Sequence, residues 1–220
     1  MSTFALKLIA ITSMLIDHVA AVFIPANSWP YLICRLIGRL AFPIYAFLIV
    51  EGFYHTRNIK KYLLRLGIFA LISEVPFDLA FYNKWFYGKH QNIFFTLFLG
   101  LLTIYLINMA ENKYKEKMLV VNLVNTAITL ASCFLAVLLK TDYKFTGILL
   151  IVAFYLFRGN KLMSAITMVI LSGNIIQAFS ALSIIPISFY NGKKGRNIKY
   201  LFYVFYPAHL IILYLIHLFV

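Results

Sequence analysis

Residues 4–24 are apolar apart from a few positions, and two of those positions, Asp17 and His18, place an acid beside an imidazole. An imidazole is the side chain best suited to taking and returning a proton near neutral pH, and a carboxylate can fix its tautomer and stabilise its charged form. In hydrocarbon such groups are costly, so at membrane depth they face protein or a water-filled cavity and mark a functional site by default. The bland reading of the pair is a helix-packing hydrogen bond. Further polar groups interrupt later apolar runs: Arg35 and Arg39, then Glu74 and Asp78, Asn92 and Thr96, and His209. Arginines hold anions, or pair with a buried acid, which for Arg39 would be Asp17, Glu74 or Asp78. No serine or cysteine stands in a nucleophile-elbow context, and there is no Gly-rich phosphate loop and no His/Glu metal motif. Cys34 and Cys133 stand alone and read as packing residues. The chemistry left is direct transfer by a base with cationic groups around it.

These residues need a scaffold, and composition names it. With 63% hydrophobic residues, 17% aromatic and only 12% charged, and a mean hydropathy of +0.87, the chain reads as an all-α polytopic transmembrane bundle, a single domain over residues 1–220. The net charge of +13 sits in short loops between apolar runs, which is the pattern that orients membrane proteins and not a nucleic-acid footprint. Spans are expected at residues 4–24, 31–53, 62–81, 92–109, 118–139, 145–157 and 200–220. Residues 162–190, broken by Ser172, Gly173, Asn174 and Pro186, are expected to go out and return as two short or half-inserted helices, with one long tilted span as the competitor. That makes about eight or nine membrane segments. The basic loops with Arg57, Lys60, Lys61 and Arg65, with Lys113, Lys115 and Lys117, and with Lys193, Lys194, Arg196 and Lys199 belong on the cytoplasmic side, which puts the N-terminus inside. Trp29, Trp85, Phe86 and Tyr87 are expected at the outer interface. Glu51 is expected to pair locally with Arg57 or Lys60.

Helix rise turns sequence position into depth. At about 1.5 Å per residue, His18 lies about 9 Å below the outer end of the first span, and Arg35 and Arg39 lie about 6 and 12 Å down its neighbour. Glu74 and Asp78 share one helix face at similar depth, Asn92 and Thr96 fall in the first turns of the fourth span, and His209 sits somewhat deeper. Pro43 removes the bond that would go to the carbonyl of Arg39, so the second span is expected to break beside this layer.

The strings MLIDHVAAVF, RLIGRLAFPIYAFLIVEGFYHTRN, YLLRLGIFALISEVPFD, NIFFTLFLGLL, DYKFTGILL and YVFYPAHL occur in order over most of the chain. In them the chain resembles the TraX family, membrane acetyltransferases named for the enzyme that acetylates conjugative pilin. The most specific part is GR-x-AFP followed by EG-x-x-HT-x-N, a pattern apolar composition does not produce. The family is similar, more distantly, to transmembrane acyltransferases that modify sugars with acetyl-CoA, where an N-terminal helix carries an arginine eleven residues before the catalytic histidine. Lys7 and His18 have that spacing here, with lysine in place of arginine.

The resemblance implies transfer of an acetyl group from cytoplasmic acetyl-CoA to an amine or hydroxyl at the membrane or outer face of a bacterial inner membrane. The acceptor would be a peptide N-terminus or a surface glycan. His18 would be the general base, Asp17 or Glu74 its orienting acid, and Arg39 with Arg35 the stabilisers of the oxyanion or acceptor. Lys7, Arg57, Lys60, Lys61 and Arg65 would attract the CoA phosphates, unless the four loop residues Arg57, Lys60, Lys61 and Arg65 serve topology alone, and Asp78, Asn92, Thr96 and His209 would line the acceptor site. From Lys7 to His18 is about 16 Å along a helix, a distance a pantetheine arm spans. No metal is called for. The competing class is a small proton-coupled transporter with Asp17, His18, Glu74 and Asp78 as its relay; the paired halves common in transporters are absent from the hydropathy pattern.

Overall fold

In the computed structural model of this chain, residues 1–196 and 199–219 are described, Lys199 by its backbone only. The Lys199 side chain, one member of the last basic run, and Val220, the end of the last expected span, therefore lie outside the described residues. The described chain is helical: α1 Thr3–Phe23, α2 Trp29–Gly38, α3 Ala41–His55, α4 Ile59–Tyr82, α5 Ile93–Lys113, α6 Met118–Leu138, α7 Lys144–Leu156, α8 Lys161–Ile170, α9 Ile175–Ala178, α10 Ile184–Ser188 and α11 Lys199–His217, with a 3-10 turn at Phe179–Ser183 before α10. Several starts are fixed by side-chain caps. Ser2, Ser28, Asn92, Asn160 and Asn174 each accept an N–H from the first turn of α1, α2, α5, α8 and α9, satisfying a donor that the helix itself leaves without a partner.

Among the described residues, five stretches are long and apolar enough to cross a bilayer: Thr3–Phe23, Trp29–His55, Ile93–Lys113, Met118–Leu138 and Tyr200–His217. The remaining expected spans differ for definite reasons. α4 has 24 residues but carries Lys60, Lys61, Arg65, Glu74 and Asp78. α7 has 13 residues, about 20 Å against a hydrocarbon core of about 30 Å. α6 has an apolar face, with Leu119, Leu123, Leu130, Phe134 and Leu138 exposed. A helix so apolar and so little covered fits a lipid environment. The membrane character read from composition thus rests on helices of the right length and on where their apolar side chains point.

The chain forms two compact units, neither contiguous in sequence: Met1–Tyr45 with Leu71–Tyr87 and Gly159–Val220, and Ala46–Ala70 with Gly88–Arg158. In the first, α2 and α11 pack on α1. The Trp29–His55 stretch is broken at Arg39 and Leu40. Pro43 stands in the first turn of α3, where its missing N–H is tolerated, and its inability to donate back toward Arg39 is the physical reason for a break there. Segment 161–188 doubles back: α8 packs against α9, the 3-10 turn and α10, and Lys161 Nζ donates to the carbonyl of Ser188 at 2.9 Å. Gly173 at φ +63 makes the turn, a left-handed conformation glycine adopts without cost. The segment is thus folded back on itself and is not one continuous helix. The strand of chain after α10 clamps the start of α1: Thr3 and Phe4 donate their N–H groups to the carbonyls of Lys193 and Lys194, and the Met1 amino group to that of Phe189.

In the second unit α5, α6 and α7 pack together around Leu101, Ile104, Ile107, Ile148 and Ile151. A polar network sits among them. Tyr155 donates to Glu111 Oε2 at 2.7 Å, Asn108 to Tyr155 at 3.2 Å, and Asn125 to Glu111 Oε1 at 3.3 Å. Glu51 meets Arg158 in a two-pronged pair, Nε to Oε1 at 2.8 Å and Nη2 to Oε2 at 3.4 Å. This corrects the expectation that Glu51 pairs with Arg57 or Lys60. Packing α7 against α3 puts a guanidinium from 107 positions away in the place that local spacing assigned to the next loop.

Candidate functional site

Asp17 lies on the face of α1 that meets α2, and Gly38 lets it come close. A Cβ at position 38 would stand 2.1 Å from Asp17 Oδ1, so no other residue fits there without moving the carboxylate. In that place Asp17 accepts from Arg35 Nη1 at 2.6 Å and from Arg39 Nη2 at 3.4 Å. Arg39 Nε also donates to the carbonyl of Arg35 at 3.2 Å. Asp17 and Arg39 side chains keep 13% and 11% of their exposure and Arg35 28%, so Arg35 is the guanidinium with the more open surroundings. Each guanidinium has five donors, and these contacts use one of Arg35's and two of Arg39's. Charge pairing supplies the neutralisation that buried arginines require, and it leaves donors over for another anion.

One residue on, His18 points elsewhere, as neighbours about 100° apart on a helix must. Its Nδ1 lies 2.8 Å from Nε2 of His209 on α11. The two rings are within 11° of parallel with centroids 5.0 Å apart. The N···N distance and two ring radii together account for that separation, so the imidazoles meet edge to edge in nearly one plane, and the contact is an in-line hydrogen bond and not a face-to-face stack. His209 Nδ1 in turn lies 2.8 Å from the carbonyl of Phe205. Aromatic rings hold both planes: Phe205 stacks on His209 at 4.7 Å, Tyr206 meets it edge-on at 5.6 Å, and Phe81 of α4 meets His18 edge-on at 5.1 Å.

Sequence reasoning expected a carboxylate, Asp17 or Glu74, on the His18 ring. The hydrogen-bond partner found at its Nδ1 is instead His209, a residue expected to touch the acceptor. Asp17 instead meets the second-span arginines, the ion pair considered for Arg39. Glu74 and Asp78 are buried on the first unit's part of α4, and Asp78 Oδ2 accepts the N–H of Tyr87 at 2.6 Å, ordering the loop after α4. Lys7 Nζ lies over the ring of Phe202 at 4.9 Å.

The second unit holds the other expected contacts. Asn92 caps α5 through Phe94 N–H and donates to the carbonyl of Ala70 at 2.8 Å, and Thr96 Oγ1 accepts the N–H of Tyr143 at 3.5 Å. Both residues thereby tie together parts of that unit. Arg57, Lys60 and Lys61 are exposed, and Arg65 lies against Tyr62 with its guanidinium 5.6 Å from the ring. The His18 to His209 bond was missed because it joins residues 191 apart. The only available signal was that both are histidines in otherwise apolar runs at comparable depth.

Comparison with known proteins agrees with the resemblance seen in the sequence. The family model described as "TraX protein" matches residues 2–217. A protein described as "Probable fimbrial assembly protein FimC, serogroup H1", from Dichelobacter nodosus, is 33% identical, the alignment covering 96% of this chain and 94% of that protein. No solved structure matches the chain at a significant level.

Proposed function

The chain belongs to the TraX family, and from that premise we propose that it is a multi-pass transferase of the bacterial inner membrane that moves an acetyl group from cytoplasmic acetyl-CoA to an amine or hydroxyl. The observation that carries the reading is the pairing, in one unit, of a histidine on a membrane-length helix with two arginines gathered on the adjacent Asp17. His18 is the base: as the acceptor's lone pair bonds the thioester carbonyl carbon, its N–H or O–H proton passes to His18. Collapse of the tetrahedral species breaks the C–S bond, and the proton goes on to the CoA thiolate. Arg35 and Arg39 stabilise the oxyanion with the donors Asp17 leaves over, work for which preorganised donors are suited. Lys7, Arg57, Lys60, Lys61 and Arg65 attract the CoA phosphates. The N-terminus is inside and the chain makes about eight or nine passes and half-passes, α8 to α10 forming a re-entrant pair. The relative named for fimbrial assembly favours a surface polypeptide as acceptor over a glycan.

Purified protein in detergent with labelled acetyl-CoA tests this. Release of CoA, lowered about 10²-fold or more in His18→Ala, the usual size of a general-base contribution, is the expected result. Solute or proton flux with no CoA release would overturn it in favour of a relay through Asp17, His18, Glu74 and Asp78.

A further inference from the structure

A backbone carbonyl can only accept. The 2.8 Å contact between His209 Nδ1 and the carbonyl of Phe205 therefore puts the proton of that ring on Nδ1. A neutral imidazole carries one N–H, so Nε2 of His209 is an acceptor, and the 2.8 Å bond to His18 is donated by His18 Nδ1. The consequence falls on the far nitrogen: His18 Nε2 keeps its lone pair, and no group among the described residues hydrogen-bonds it. The order runs from carbonyl to His209 to His18, in nearly one plane, with Phe205, Tyr206 and Phe81 fixing the rings.

Resting on the reading of His18 as the base, we propose that His209 is its positioning residue, and that it takes the part a carboxylate plays in most histidine bases. It sets the tautomer so that Nε2 of His18, and not Nδ1, faces the acceptor's proton. It also receives charge. When His18 Nε2 takes the proton from the acceptor's N–H or O–H, the Nδ1 proton of His18 can pass to Nε2 of His209, whose Nδ1–H stays on the Phe205 carbonyl. One positive charge is then shared between two rings and returns along the same path when the thiolate is protonated. Asp17 is not needed at the ring and serves the arginines. The role differs from the acceptor contact the sequence suggested for His209, because its Nε2 is already engaged by His18.

Two variants and a spectroscopic readout test this. His209→Gln keeps an acceptor oxygen close to the place of Nε2; His209→Phe keeps the ring and loses the acceptor. In CoA-release assays His209→Phe is expected to lower kcat about 10²-fold or more with KM for acetyl-CoA unchanged, and His209→Gln to stay within about tenfold of the native rate. In ¹⁵N-histidine NMR of the native protein, His18, assigned through His18→Gln, is expected as the Nδ1-protonated tautomer. That form persists in His209→Gln and is lost in His209→Phe. A native His18 protonated on Nε2 overturns the proposal whatever the variants do, and so does an undiminished kcat in His209→Phe. If CoA release depends on His18 but not on His209, the base stands and the positioning role falls. If native protein releases no CoA, the transferase reading falls, while the NMR still reports whether His209 sets the tautomer.

Discussion

At the scale of the residue, the adjacent pair Asp17 and His18 divides its labour because a helix turns about 100° per residue. The acid faces α2 and the imidazole faces α11. Breaking a buried pair by removing one partner leaves the other's charge uncompensated, at about 3–5 kcal/mol. Asp17→Ala is expected to cost on that order in denaturation followed in detergent, with two guanidiniums losing their counter-charge. Gly38 permits the pairing, so Gly38→Ala should reproduce much of the loss in both stability and CoA release. Gly67→Ala is the control, since a Cβ there meets Phe98 at an ordinary 3.6 Å. Equal behaviour of the two alanine variants would show that the Asp17 carboxylate does not need the space.

At the scale of the element, two interruptions shape the first unit: the break at Arg39 and Leu40 between α2 and α3, and the turn at Gly173 between α8 and α9. α8 has 10 residues, about 15 Å of helix, or half of a hydrocarbon core. Its return brings Lys161 to Ser188. Cysteines placed at Asn160 and Asn191, in a chain with Cys34→Ser and Cys133→Ser, should therefore be labelled by an impermeant thiol reagent from the same face of the membrane. Labelling from opposite faces would mean that 161–188 crosses once.

At the scale of the whole molecule, each unit has its own polar fastening. In the second, Glu51 is 8% exposed and is held by Arg158, whose guanidinium also lies 4.0 Å from the centre of the Tyr54 ring. Arg158→Ala is expected to destabilise by roughly 1–3 kcal/mol, less than a fully buried pair because the arginine is 41% exposed. Arg57→Ala should change stability by less than about 0.5 kcal/mol. If Arg57→Ala cost more than Arg158→Ala in the same melt, the long-range pairing would be wrong. Orientation is set by the basic loops, so reporters fused at Asn58 and Glu116 should read cytoplasmic and one at Lys84 external.

Much of this protein was legible in its residues because the cost of polar groups in hydrocarbon does not depend on fold. Runs of apolar residues of bilayer length, basic loops, the break expected from Pro43 and the return of segment 162–190 from its Gly and Pro breakers all follow from local chemistry. So does the choice of His18, Asp17, Arg35 and Arg39 as the residues to watch. Depth along a helix, however, gives no angle around it and no neighbour. That Asp17 meets arginines, that His18 meets His209, and that Glu51 reaches Arg158 were decided by which helices pack together, since a hydrogen bond depends on direction to within tens of degrees and only the assembled helices fix that direction.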